Sequence, residues 1–127
     1  MSAIYEDRDV ATGIADKLRV FAQPQRLMIL SCLLRGERTV SEIGEVTGIT
    51  QPALSQQLAE LRRADLVSTR KEAKQVWYAL ADEGAVTCVQ TMELIFCGGE
   101  PLPTLARPAE QLAAPSLNGV AAFARVL

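Results

Sequence analysis

The sequence predicts a mainly α-helical fold carrying one small β-hairpin, and three observations lead there. Apolar residues recur at helical spacing in five separate stretches, the mark of helices with one buried face. Only residues 66–70 and 75–80 concentrate β-branched and aromatic side chains, as short strands do. Those two stretches directly follow a helix whose outward face is polar rather than mixed. The expected order is four helices, two strands, a fifth helix and a proline-containing tail.

Taken in order, residues 4–21 form the first helix, with Ile4, Val10, Ile14, Leu18 and Phe21 as an approximate stripe. Pro24 stands where a second helix starts, because a first turn does not need the missing N–H. From Arg26 to Leu34 that helix is nearly all apolar (Leu27, Met28, Ile29, Leu30, Cys32, Leu33, Leu34), so it is expected to be central and buried, ending at Gly36. A short third helix begins at Val40, with Val40, Ile43 and Val46 facing inward and Gly48 closing it. Thr50 is the expected N-cap of the fourth helix, Gln51 and Pro52 its first turn, and Leu54, Leu58, Leu61 and Ala64 its inward face. Residues 66–70 and 75–80 are the strands, joined by the polar connector 71–74. Asp82 is placed to cap a fifth helix with Val86, Val89, Met92, Leu94 and Ile95 as apolar positions, ending at Cys97-Gly98-Gly99.

Composition sets the outer bounds. At 127 residues and 49 % hydrophobic, the chain has enough apolar material for one domain with a modest core. The composition changes after residue 99, so the expected division is a domain over 1–99 and a tail over 100–127. Pro101, Pro103, Pro108 and Pro115 interrupt that tail, while 111–114 and 117–127 each have material for a turn or two of helix. No apolar run approaches the ~20 residues that span a bilayer, and the N-terminus lacks an export signal's basic-then-apolar character. The expected address is cytoplasmic, with no membrane partner and with the cysteines at positions 32, 88 and 97 reduced at rest.

The chemistry lies in the fourth helix and in the hairpin behind it. Gln51, Ser55, Gln56 and Gln57 are short polar side chains suited to base edges. Thr50, Arg62, Arg63, Arg70, Lys71 and Lys74 are suited to phosphates. A polar helix face or a charged hairpin alone is usually just solvated. Their succession within about thirty residues, behind a short helix and a Gly-containing turn, is much more specific and predicts a winged helix-turn-helix bound to double-stranded DNA. The formal net charge of −2 does not oppose this, because its distribution matters more. Residues 62–74 carry a net +3, whereas 82–110 carry a net −4.

These residues also resemble a known family. Phe21-Ala-Gln-Pro-Gln-Arg-Leu-Met-Ile-Leu30, Val40-Ser-Glu-Ile43, Gln51-Pro-Ala-Leu-Ser-Gln-Gln-Leu58, Leu61-Arg62, Leu66-Val67 and Val76-Trp-Tyr-Ala-Leu80 look like the ArsR/SmtB family of bacterial repressors, over roughly residues 10–98. Within it the chain is most similar to the branch of BigR, SqrR and HlyU, which respond to reactive sulfur or oxidants through cysteines. The resemblance implies a homodimer paired through the first and fifth helices, a pseudo-palindromic operator, and a persulfide, polysulfide or oxidant as inducer. It also implies a redox switch between a cysteine on the second helix and one ending the fifth, which here designates Cys32 and Cys97. Cys97 matches the family position; on the second helix that position falls on Ser31, and Cys32 comes one residue later, ~100° further round. Cys88 and Cys97 lie nine positions apart on one helix, so they occupy opposite faces and cannot bridge each other.

Other chemistry finds little support. With no histidine in the chain, the family's usual His/Asp zinc site is missing, and no metal or other cofactor is expected. A repressor responding to a thiophilic metal through scattered thiols is the alternative within the family. A winged helix used for protein contacts is the alternative from another class. An enzyme is not expected, since the chain has no Ser/His or Cys/His pair and no phosphate-binding glycine loop.

Overall fold

A computed structural model describes residues 3–98, which fall into two compact units, one up to Thr87 and one from Cys88, each taken by itself below. The expected boundary after residue 99 and the helical segments expected within 100–127 lie outside the described residues. After a 3-10 turn at Ile4–Glu6, the order is α1 Arg8–Phe21, α2 Pro24–Leu34, β1 Arg38–Thr39, α3 Val40–Thr47, α4 Ala53–Arg63, β2 Val67–Glu72, β3 Gln75–Leu80 and α5 Glu83–Cys97. This is a winged helix-turn-helix, with one more strand than the two expected. α5 starts in the first unit and continues into the second.

Local chemistry explains each boundary. Asp7 is extended and its Oδ1 accepts from the N–H groups of Asp9 and Val10 at 2.9 and 3.2 Å, so it caps α1 and splits the single first helix expected over 4–21. The stripe on α1 remains open to solvent in the monomer: Val10, Ile14 and Leu18 are exposed and only Phe21 is buried. In α2, Pro24 occupies the first turn and the Gln23 side chain accepts from the Arg26 N–H at 2.9 Å. Ile29, Leu30, Cys32 and Leu33 are buried, whereas Leu27 and Met28 are exposed. α2 is thus covered on one side and not all round, a distinction that an almost uniformly apolar sequence has no period to reveal.

Thr39 joins the sheet to the helices. It pairs with Trp77 as the last residue of β1, and its hydroxyl accepts from the Glu42 N–H while the Glu42 carboxylate accepts from the Thr39 N–H, a capping box on α3. Gly48 closes α3 with φ 77°, a conformation that favours glycine. Ile43 is fully buried as expected, but Val46 is 56 % exposed and does not face inward.

The sheet is antiparallel with β3 central, in the order β1-β3-β2. Its hairpin register runs from Val67 opposite Leu80 to Glu72 opposite Gln75. The turn is therefore only Ala73 and Lys74, both left-handed with φ 53° and 68°, the two-residue geometry that matches strand twist. Packing is centred on Ile29, Leu30, Ile43, Leu54, Leu58 and Leu61, each at most 2 % exposed and each worth roughly 2 kcal/mol of burial. Asp82 caps α5 as expected, accepting from the Ala85 N–H at 2.9 Å. In the second unit, Cys88, Ile95, Phe96 and Cys97 are exposed. No helix among the described residues is long and apolar enough to cross a membrane.

Candidate nucleic-acid interface

The inward face of α4 is fixed by Leu54, Leu58 and Leu61, all buried, so the positions opposite them on the helix point away from the core. Gln51, Ser55 and Gln56 are accordingly exposed. The Ser55 hydroxyl donates to Gln51 Oε1 at 2.5 Å, which ties two of these side chains together. Thr50 is also exposed, but it does not act as a side-chain cap. Instead its carbonyl accepts from the Leu54 N–H at 2.9 Å, so the backbone enters the helix through the Gln51-Pro52 turn.

Gln57 is placed differently from its three neighbours. It is half-buried, its Oε1 accepts from Arg26 Nε at 2.7 Å, and its amide nitrogen donates to Gln25 Oε1 at 3.4 Å. Its side chain faces α2, away from the open row of Gln51, Ser55 and Gln56. Arg26 also donates to the Val20 carbonyl at 3.3 Å.

The C-terminal end of α4 gathers positive charge where the helix dipole favours it. Arg62 is exposed and forms no ion pair among the described residues, while Arg63 pairs with Glu60 at 2.7 Å on the surface. Lys17, from α1, donates to the Ala64 carbonyl at 3.0 Å. Asp65 then turns left-handed, with φ 60°, as the Leu66 N–H bonds the Leu61 carbonyl and the Asp65 N–H bonds that of Arg62, each at 3.0 Å. This is a Schellman closure made without glycine.

On the wing, Lys71 and Lys74 are exposed and form no ion pair among the described residues. Arg70 is held within the protein. Its Nε donates to both oxygens of Glu37 at 3.1 and 2.9 Å, its second terminal nitrogen reaches Glu37 Oε1 at 2.6 Å, and the other pairs with Glu72. The guanidinium carbon lies 5.4 Å from the centre of the Trp77 ring, within cation–π range. The hydrogen bond from Arg70 holds the Glu37 carboxyl below the usual carboxylate range, and Glu37 and Glu72 push Arg70 still higher.

The thiols differ in setting. Cys32 is buried on α2, and burial pushes its thiol up, opposed more weakly by Arg38 and Arg35. Ser31, one residue before Cys32, is half-buried and its hydroxyl accepts from Arg35 at 3.2 Å. Cys88 and Cys97 are exposed.

Three residues of this region escaped sequence reasoning: Lys17, Arg26 and Glu37. Their partners lie 47, 31 and 33 positions away, and no local period or motif signals a pairing at such separations.

Comparison with known proteins agrees with this architecture. Residues 23–69 match the model of the bacterial regulatory protein, arsR family. The biofilm growth-associated repressor of Agrobacterium fabrum is 44 % identical over 90 residues, covering 71 % of this chain and 77 % of that one. The transcriptional activator HlyU of Vibrio cholerae is 40 % identical over 80 residues, covering 63 % and 74 %. Among solved structures, the transcriptional repressor BigR from Xylella fastidiosa superposes with a TM-score of 0.69 at 36 % identity, over 76 % of this chain and 98 % of that one. Reduced HlyU from Vibrio cholerae gives 0.68 at 35 %, over 74 % and 99 %. The chain belongs to the arsR family of bacterial regulatory proteins and is a winged helix-turn-helix DNA-binding regulator of transcription.

Proposed function

We propose that this protein is a homodimeric transcriptional repressor that binds a pseudo-palindromic operator and releases it when its thiols are oxidised. The observation that carries the DNA reading is the exposed set Gln51, in the turn before α4, and Ser55 and Gln56 on α4, together with the exposed Arg62, Lys71 and Lys74, cations without an ion pair among the described residues. Gln51, Ser55 and Gln56 read base edges in the major groove, while Thr50, Arg62, Arg63, Lys71 and Lys74 hold phosphates. Gln57 and Arg70, expected from sequence to join those two groups, are engaged inside the protein and support the interface instead. Dimerisation is supported by the exposed stripe Val10, Ile14 and Leu18 on α1, too regular to be scattered surface apolarity. A twofold dimer places two α4 helices in successive major grooves, ~34 Å apart.

For the inducer, the support is the exposed Cys97 thiol, open to a reagent; Cys32, whose burial raises its thiol, reacts second. Cys97 is the attacking thiol and Cys32 the resolving one. The Cys97 thiolate attacks the inner sulfur of an organic trisulfide and expels one organic thiolate, and the Cys32 thiolate then displaces the second, so that two S–S bonds form as two break, the cysteine protons pass to the two released thiols and the inner sulfur remains as the bridge. α2 then shifts in its packing and operator affinity falls.

Gel shifts with operator selected from a random duplex library test the first part: a sharp, salt-sensitive complex is expected, and none forms if the fold serves protein contacts instead. Mass spectrometry after polysulfide treatment tests the second. Linked Cys32 and Cys97 with weakened binding are expected; an unlinked Cys97 with unchanged binding sinks the switch.

A further inference from the structure

We infer that Arg26 is a positioning residue for DNA reading, acting through Gln57 to set the rotation of α4; the inference rests on the DNA-binding role proposed above. The geometry is a brace. Arg26 sits in the first turns of α2, with its backbone N–H bonded to Gln23 Oε1 at 2.9 Å, so its own start point is fixed. Its guanidinium then spans outward, Nε giving 2.7 Å to Gln57 Oε1 and a terminal nitrogen giving 3.3 Å to the Val20 carbonyl at the end of α1. The Gln57 amide nitrogen returns a 3.4 Å bond to Gln25. Gln57 is therefore held on both its oxygen and its nitrogen by adjacent residues of α2.

Apolar packing alone does not fix what this brace fixes. Leu54, Leu58 and Leu61 determine which side of α4 faces the core, but apolar contact is non-directional and tolerates small rotations about the helix axis. A hydrogen bond from a charged donor is short and directional. Gln57 directly follows Gln56, so a few degrees of rotation at Gln57 moves the Gln56 amide relative to a base edge. Base readout needs that register, whereas phosphate contacts are far less sensitive to it.

The brace is tested by a double-mutant cycle with R26A and Q57A, read as affinity for the selected operator and for random duplex DNA. Each single variant is expected to lose about 10-fold on operator and nothing on random DNA, and the double variant to lose no more than the worse single, because one interaction is removed three times. The salt dependence of operator binding stays as in the wild type, since no phosphate contact is lost. Q57E keeps an acceptor for Arg26, now charged, and is expected to stay within about 3-fold of wild type. Circular dichroism on every variant confirms that the helices are retained. Additive losses, or a Q57E loss as large as that of Q57A, overturn the inference by placing the Gln57 amide on a base. A salt slope smaller by about one in R26A also overturns it, by placing Arg26 on a phosphate. Unchanged operator affinity in R26A overturns it alone, while a wild type that selects no operator overturns the DNA-binding reading and the inference together.

Discussion

α4 and the wing carry arginines of the same kind, eight positions apart, and use them differently. Arg62 at the end of α4 stands in solvent with no ion pair among the described residues, whereas Arg70 on β2 is held by Glu37, Glu72 and the face of Trp77. Both are exposed and both lie in the positively charged stretch, so neither composition nor accessibility separates them. What separates them is geometry: β3 brings Trp77 opposite Arg70, and the loop before β1 brings Glu37 within reach. One arginine, exposed and without an ion pair among the described residues, is the one proposed to hold a phosphate. The other is tied to neighbouring side chains of the same protein, on the hairpin that also carries Lys71 and Lys74.

That contrast can be broken experimentally, starting where the effects are largest. Leu61→Ala removes a fully buried side chain from beneath α4 and is expected to cost about 3 kcal/mol in urea unfolding. Gln56→Ala and Arg62→Ala together are expected to lower operator affinity at least about 100-fold in fluorescence anisotropy, with random DNA weakened only by the Arg62 share. Lys71→Ala is expected to reduce the salt slope by about one, whereas Arg70→Ala leaves the slope nearly as it was and instead changes the emission of Trp77. An equal slope change in both variants would erase the distinction between the two arginines. Ala73→Gly relieves a left-handed backbone in the turn and is expected to stabilise the protein by about 1 kcal/mol, with operator affinity unchanged.

The smallest effect is the pH dependence of the wing clamp. Glu37 has its folded pKa depressed below the unfolded value of about 4.3, so its contribution is fully present above that value and is lost as pH falls through the lower, folded pKa. Since Trp77 is the single tryptophan, its fluorescence is expected to stay flat from neutral pH and to change only in that acidic window. Glu37→Gln should remove the step. A step above the ordinary carboxylate range would assign it to another group.

The sequence made the helices and the hairpin legible because each declares itself locally. The leucines of α4 keep helical spacing, Gly48 marks a left-handed close, and Asp82 stands one step before α5. Two features were illegible for equally physical reasons. The turn residues Ala73 and Lys74 carry none of the glycine or asparagine that normally signals a two-residue hairpin, so the connector read as four residues instead of two. β1 is only two residues long and has no period to detect. The candidate interface divided along the same line. Gln51, Ser55 and Gln56 follow from helical geometry alone, but the engagement of Gln57 and Arg70 depends on side chains more than thirty positions away. The cysteines were legible as positions only, and their environments came from packing: burial raises Cys32, and Cys97 is exposed.

Thr39 closes the strand that pairs with Trp77 and, through the same residue, opens the helix that precedes α4. No spacer separates the two roles, and the residue is only 8 % exposed. In the proposed DNA-binding role, the helix offered to the groove and the hairpin offered to the backbone are therefore expected to keep a preset separation, like the jaws of a fixed-gauge tool. An operator whose groove width departs from that gauge is then expected to deform, at a cost that depends on its sequence. Base pairs lying between the contacted ones are thereby expected to influence affinity without being touched.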